Sequence, residues 1–359
     1  MRTPIFAAAL VGLSSVSSVP PAAAQTPELS STLREAASRH GILIGSAVRL
    51  EPLLEDPLYL EILSREFDTV TPEVELKWEH VHPSPFRYDF DRADAVIRIA
   101  LENGLTVHGH TLVWHQQNPD WLTTFPFSRK QLIAILRNHI SAVVGRYRGR
   151  VALWDVVNEP VQAPETEDDS LGDSVWLRRI GPEYIELAFR YAHEADPDAR
   201  LIYNHVGFGQ ALSAPSLAIV EGLLRRGVPI HGVGFQVHVE LDGDPPLEKV
   251  EEFSELMQQF ASLGVEIYIT EMDVALREPV TPRKLHDQAD TYEAILKSCL
   301  EQPACKGFQT WGFTDRYTWI TEQRAGWTAP LLFDVSYHPK AAYFALRDRL
   351  LVQPVPESR

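Results

Sequence analysis

The chain has 359 residues, 45% of them hydrophobic and 23% charged, an ordinary composition for a globular protein with a sizeable core. Its formal net charge of −16 argues against a nucleic-acid partner, because a phosphate backbone is gripped by Lys and Arg. An acidic surface of this kind says little about a neutral polymer.

At the N-terminus, Met1-Arg2-Thr3-Pro4 gives a basic start and Ile5 to Val16 an apolar run, too short and too broken by serines to span a bilayer. Ala22-Ala23-Ala24 supplies a cleavage signal. A signal peptide over residues 1–24, a mature start at Gln25, export to the periplasm or medium and no later membrane attachment are expected. Strands and helices then alternate. Gly41 to Val48 reads as a first strand, Phe67 to Val70 opens a second ending in Thr71-Pro72-Glu73, and Leu105 to His110 is a third. A helix starts near Arg92 and ends before Gly104. Another follows Ser128, which with Gln131 makes a capping box ahead of the stripe Leu132, Ile135, Leu136, Ile140, Val143 and Val144. Val151 to Asn158 is the fourth strand, and Pro182 suits the first turn of the helix that follows, with Ile185, Ala188, Phe189 and Ala192 facing inward. Leu201 to Asn204 is the fifth strand, Gly232 to His238 the sixth, Ile267 to Val274 the seventh and Gly307 to Trp311 the eighth. Helical stretches near Leu217–Arg226 and Val250–Leu263 flank the sixth. Eight strands with intervening helices in one domain is the count of a (β/α)8 TIM barrel, with its chemistry at the carboxyl ends of the strands.

Two of those ends deliver a glutamate. Trp154-Asp155-Val156-Val157-Asn158-Glu159-Pro160 is an apolar strand stopped by a polar pair and a proline, and Ile269-Thr270-Glu271-Met272-Asp273 repeats the arrangement. A single Glu after a strand is an ordinary loop residue; two on different strands are what glycosidic cleavage requires, one as acid and one as nucleophile or base. Alternation puts Glu271 and Asp273 on one face, and Gln236 and His238 on one face of the sixth strand. Asp273 is therefore expected to fix the tautomer of His238, which donates to Glu271 and keeps it ionised while Glu159 holds its proton.

Other polar and aromatic residues gather at the same ends. His108 and His110 share a face and with His115 could be read as zinc ligands; the competing reading has His110 on a sugar hydroxyl and His108 structural. Trp311 and Trp319 are expected to stack on sugar rings and Trp327 to be core. Lys77 with Glu73 and Trp78 is either a surface ion pair or part of the rim. Cys299 and Cys305, in an exported chain, are expected to form a disulfide, against the alternative of two free thiols.

Together these segments resemble glycoside hydrolase family 10, the retaining endo-β-1,4-xylanases, from roughly Gly41 to Leu350. The resemblance rests on Val70 to Glu73 with Leu76-Lys77-Trp78, Gly109 to His115, Trp154 to Glu159, Gln236 with His238, Ile269 to Asp273, Trp311-Gly312 and Pro330 to Asp334. It implies Glu159 as acid/base, Glu271 as nucleophile and Asn158 on the 2-hydroxyl of the sugar that becomes covalently bound. His110, Trp114, Gln117, Gln236 and Trp311 would line that subsite, and Glu73, Lys77 and Trp319 the next. No metal or organic cofactor is implied; the partner is xylan or xylo-oligosaccharide, and the protein is expected to be a monomer. Three departures stand out: Val74 where the family has Asn, Asn204-His205-Val206 where it has Asn-Asp-Tyr, and Ile320 where it often has Arg. They leave two alternatives open, a retaining glycosidase for another β-linked glycoside and a barrel that binds glycans without turnover.

Overall fold

The computed structural model describes residues 31–161, 171, 173–207 and 212–352; the expected signal peptide and the side chain of Val206 lie outside the described residues. Its strands are β1 (Leu43–Val48), β2 (Thr69–Pro72), β3 (Thr106–Val113), β4 (Leu153–Asn158), β5 (Arg200–Val206), β6 (Gly232–Gln236), β7 (His238–Leu241), β8 (Glu266–Arg277), β9 (Cys305–Thr310) and β10 (Trp327–Thr328). Eight of them, all but β7 and β10, pair in parallel in chain order, and β9 returns to β1 through Leu43↔Gly307 to Ser46↔Thr310, closing the barrel.

The helices form where local signals place them. Ser128 accepts from the Gln131 amide and Gln131 reaches back, so the expected capping box opens Arg129–Arg146. Thr281 and Pro282 start Pro282–Leu300 in the same spirit, as cap and first-turn proline. Apolar helix faces and outward strand residues form one continuous core around the barrel. Inside, Leu153, Ile202 and Tyr268, packed by Leu43, form a separate apolar plug at the amino ends of the strands. Above the plug the interior turns polar. Thr71 on β2 donates to Gln309 on β9 at 2.8 Å, and Gln309 meets His108 on β3 at 2.9 Å. These strands are not all neighbours, so the bonds cross the barrel lumen.

Several expectations are corrected. The sixth strand does not run to His238: it breaks at Val237, β6 staying in the barrel while β7 pairs only with β8, through His238↔Asp273. Pro182 sits in a turn, and its helix begins at Tyr184. Trp327 is not core but half-buried in β10, antiparallel to β8, with the Arg277 guanidinium 5.4 Å above it. Trp78 is wholly core, stacked on His139 at 3.4 Å. The expected Cys299–Cys305 disulfide, by contrast, is formed.

His139 is fully buried, its Nδ1 3.2 Å from Nδ1 of His82, and burial, reinforced by His82, pushes its pKa well below the ordinary value. The unfolded chain binds a proton at this residue near pH 6.5 and the folded chain resists it. The stability it contributes is thus present above about pH 6.5 and lost as pH falls below it. The thermal midpoint is expected to drop between about pH 7 and 5, with a shallower drop for His139→Gln; parallel slopes in calorimetry for the two proteins would refute this.

Candidate active site

The carboxyl ends of the strands surround an open cleft of about 590 Å³. Glu159 follows the last residue of β4 with a left-handed backbone, φ +50°, an unfavourable conformation for a residue other than glycine, held by its amide donating to the Asn204 carbonyl at 3.0 Å. Glu271 lies within β8 and is 4% exposed. Gln236, at the end of β6, holds its side-chain nitrogen 3.0 Å from Glu159 Oε1 and 3.1 Å from Glu271 Oε1. One nitrogen reaching both carboxylates keeps those oxygens within about 6 Å, shorter than the roughly 6.5–9.5 Å that inverting glycosidases use.

Burial by itself would raise the Glu271 pKa, but the His238 hydrogen bond and the nearby imidazoles outweigh it and hold the group below its ordinary value. His238 Nε2 is 3.3 Å from Glu271 Oε2 and its Nδ1 2.9 Å from Asp273 Oδ2. Burial opposes its charge, yet Asp273 and Glu271 together raise its pKa to about 10. The expected relay is present in geometry, and the raised pKa favours an imidazolium that donates from both nitrogens, to Glu271 and to Asp273. Asp273 Oδ2 also accepts from Trp319 Nε1 at 2.9 Å.

The cleft brings together all nine positions expected to bind the sugars, Asn158 among them. Trp114 donates to Glu159 Oε2 at 2.9 Å, and Trp311 meets His110 edge to face at 5.1 Å. Gln117, another left-handed residue, sends its amide to Glu79 at 2.9 Å. Lys77 is buried, with its ammonium 4.7 Å from the Trp114 ring centroid; burial lowers its pKa, against the pull of Glu271, Glu73 and Glu159. The Lys77–Glu73 surface ion pair is not formed. Glu73 is held instead by Arg49 at 2.7 and 2.9 Å, and Arg49 reaches on to Glu322 at 2.8 Å.

The zinc arrangement does not form. His108 commits one ring nitrogen to Asp155 and the other to Gln309, His110 commits Nδ1 to Asp155, and His115 lies beside Gln116 and Glu159. Asp155 is fully buried between two imidazoles; desolvation would raise its pKa, but His108 and His110 bring it to about 2.

The profile of glycosyl hydrolase family 10 matches residues 32–349. The chain belongs to this family. It is 41% identical over 323 residues to endo-1,4-beta-xylanase B of Thermotoga neapolitana, covering 88% of this chain and 90% of that protein. The crystal structure of xylanase 10B from Thermotoga maritima superposes with a TM-score of 0.83 at 41% identity, over 89% of this chain and 98% of that one. Xylanase 10B from Thermotoga petrophila RKU-1, solved with xylobiose, gives the same score and identity over 89% and 97%.

Within this family 10 barrel, sequence reasoning missed Asn204, Asp155 and Arg49. Asn204 is fully buried and donates to Glu271 Oε1 at 2.7 Å and to Asn158 Oδ1 at 2.9 Å, while Thr270 donates to its oxygen at 2.8 Å. A Cβ on Gly234 would come within 2.3 Å of that oxygen, so the glycine makes room for it. The signal available was alternation on β5, which puts Asn204 in register with Ile202 inside the barrel. Of the departures, Val74 lines the cleft beside Glu73, and His205 turns into the protein against Ser216, where burial lowers its pKa to about 4. Ile320 is buried; the guanidinium near the Trp319 ring, 4.9 Å from its centroid, comes from Arg324.

Because the folded pKa of His238 is raised to about 10, its contribution to stability is present below about pH 6.5 and lost as pH rises through 10. His238→Gln is expected to flatten the alkaline limb of the thermal-midpoint profile; an unchanged alkaline slope would rule out the imidazolium.

Proposed function

We propose that this chain is a retaining endo-1,4-β-xylanase in which Glu271 is the nucleophile and Glu159 the acid/base. The observation that carries the reading is the shared amide of Gln236 between the two carboxylates, which bounds their facing oxygens to about 6 Å and favours direct attack over an interposed water. Glu271, kept anionic by His238, Asn204 and Gln236, attacks the anomeric carbon, while Glu159 protonates the departing glycosidic oxygen. Glu159 then takes a proton from the water that releases the glycosyl-enzyme, and the product keeps the β configuration. Asn158 has its oxygen occupied by Asn204 and Gln236 and directs one N–H at Glu159 Oε1 at 3.4 Å, which leaves its second N–H to donate to the sugar 2-hydroxyl. His110, Trp114, Gln117 and Trp311 surround the same sugar, and Glu73, Lys77 and Trp319 the next one along the cleft. The related Thermotoga enzymes, one of them solved with xylobiose, support xylan as the substrate.

Residues 1–24 act as an export signal in this reading, which suits an enzyme whose substrate is an external polymer. Among the described residues no helix is long and apolar enough to cross a membrane.

Wild-type protein is expected to release reducing sugar from xylan, with the β-anomer appearing first by proton NMR. Glu271→Ala is expected to lose at least about 10³-fold in kcat. α-Anomer first, or xylan cleavage surviving in Glu271→Ala, would overturn the mechanism. Asn204→Ala removes a hydrogen bond to a buried charge, a loss of about 1.5–3 kcal/mol, so kcat/KM should fall roughly 10- to 100-fold with the fold intact. A change under twofold would assign Asn204 a packing role only.

A further inference from the structure

The outer sugar position of the cleft holds two opposite charges that do not meet. Glu73 and Lys77 both line it, yet Lys77 carries its ammonium to the Trp114 ring and Glu73 gives both carboxylate oxygens to Arg49. We propose that Arg49 fixes this position by withholding Glu73 from Lys77, so that an acceptor and a donor both remain for sugar hydroxyls. The proposal rests on the xylanase reading and adds to it a positioning residue that lies outside the cleft lining.

Arg49 follows the last residue of β1, the strand between β2 and β9. Its guanidinium therefore stands between the two walls of the outer position: Glu73 after β2, and Trp319 in the short helix Trp319–Gln323 after β9. Nε and Nη2 grip Glu73 as a fork at 2.7 and 2.9 Å, and Nη1 and Nη2 grip Glu322 of that helix at 2.8 and 3.2 Å. A forked pair sets the plane of a carboxylate as well as its place. The two halves differ in weight. The Glu73 side chain is 12% exposed, and its amide also donates to the Val48 carbonyl at 2.9 Å. Glu322 is 55% exposed, where an ion pair contributes little. The helix has other holds as well: Trp319 on Asp273, Ile320 in the core, and Tyr317 just before it on Asp56 at 3.1 Å. Loss of Arg49 thus releases Glu73 and leaves Trp319 in place. A released Glu73 is drawn to the buried Lys77 ammonium, whose charge it already supports, and their pairing would occupy the groups the sugar needs. Val74 beside them has no side-chain hydrogen bond to offer instead.

The test compares two probes. 4-Nitrophenyl β-xyloside fills only the inner sugar position, and 4-nitrophenyl β-xylobioside fills both. Arg49→Met keeps the aliphatic stem and removes the guanidinium. It is expected to lower kcat/KM on the xylobioside about tenfold and to leave the xyloside within about twofold, because binding energy of the remote sugar is used in the transition state. Arg49→Lys keeps the charge but not the fork, and should show the same selective loss if the methionine variant folds poorly. Glu322→Gln should cost less than about threefold on either probe. Equal losses on the two probes, or no loss on either in both Arg49 variants, would overturn the assignment. So would a loss in Glu322→Gln as large as that in Arg49→Met, which would make Arg49 a tether for the helix only. Failure of wild type on both xylan and the xylobioside would remove the xylanase reading itself, an outcome separate from all of these.

Discussion

A carboxylate that is 4% exposed and still has to carry a charge is the constraint on which the upper half of this barrel depends. Burying an ionised group without partners costs far more than a single domain's margin of stability, so Glu271 is ionised only because its surroundings supply donors. One oxygen receives Asn204 and Gln236, the other the His238 imidazolium. Each donor is itself held: Asn204 by Thr270, and His238 by Asp273, which Trp319 also binds. A hydrogen-bonded array of this kind is rigid when complete and destabilising when half complete, which explains why the polar residues inside the barrel form connected chains.

Room for those chains comes from small residues on the facing strands. A Cβ on Gly45 would lie 2.7 Å from the Gln309 side chain, and one on Gly234 2.3 Å from the Asn204 oxygen. The barrel therefore separates two kinds of interior: an apolar plug of Leu153, Ile202 and Tyr268 below, and a hydrogen-bonded column running from Thr71 through Gln309 and His108 to Asp155 above it. The plug gives burial; the column gives the cleft floor its orientation. At the rim, Arg49 joins Glu73 to Glu322, so the helix bearing Trp319 is tied to the ends of β1 and β2.

The departures from the family pattern fall outside this array. Val74 stands in the cleft wall, His205 is turned inward, and the place of a cation near Trp319 is taken by Arg324 from one turn further along. Chemistry and substrate grip are thereby separable in this molecule: the donors around Glu271 are intact while the outer walls differ.

Features that depend on local periodicity could be read without coordinates. The eight strands, the Ser128 capping box, the two glutamates at strand ends and the shared face of Glu271 and Asp273 all follow from alternation, caps and turn residues acting over a few positions. What needed the closed barrel was each partnership between distant strands. Asp155 looked like one polar residue in an apolar strand until closure placed it between His108 and His110, and Asn204 like a strand terminus until β5 brought it against Glu271. Lys77 and Glu73 could be read as an ion pair or as rim residues, and tertiary packing gave Glu73 to Arg49 and buried Lys77 beside Trp114 in the cleft. The break at Val237, which leaves β7 paired with β8, also has no local mark. Sequence determines which groups each strand can present and on which face; which of them meet is decided by barrel closure, because that alone sets distances between residues far apart in the chain.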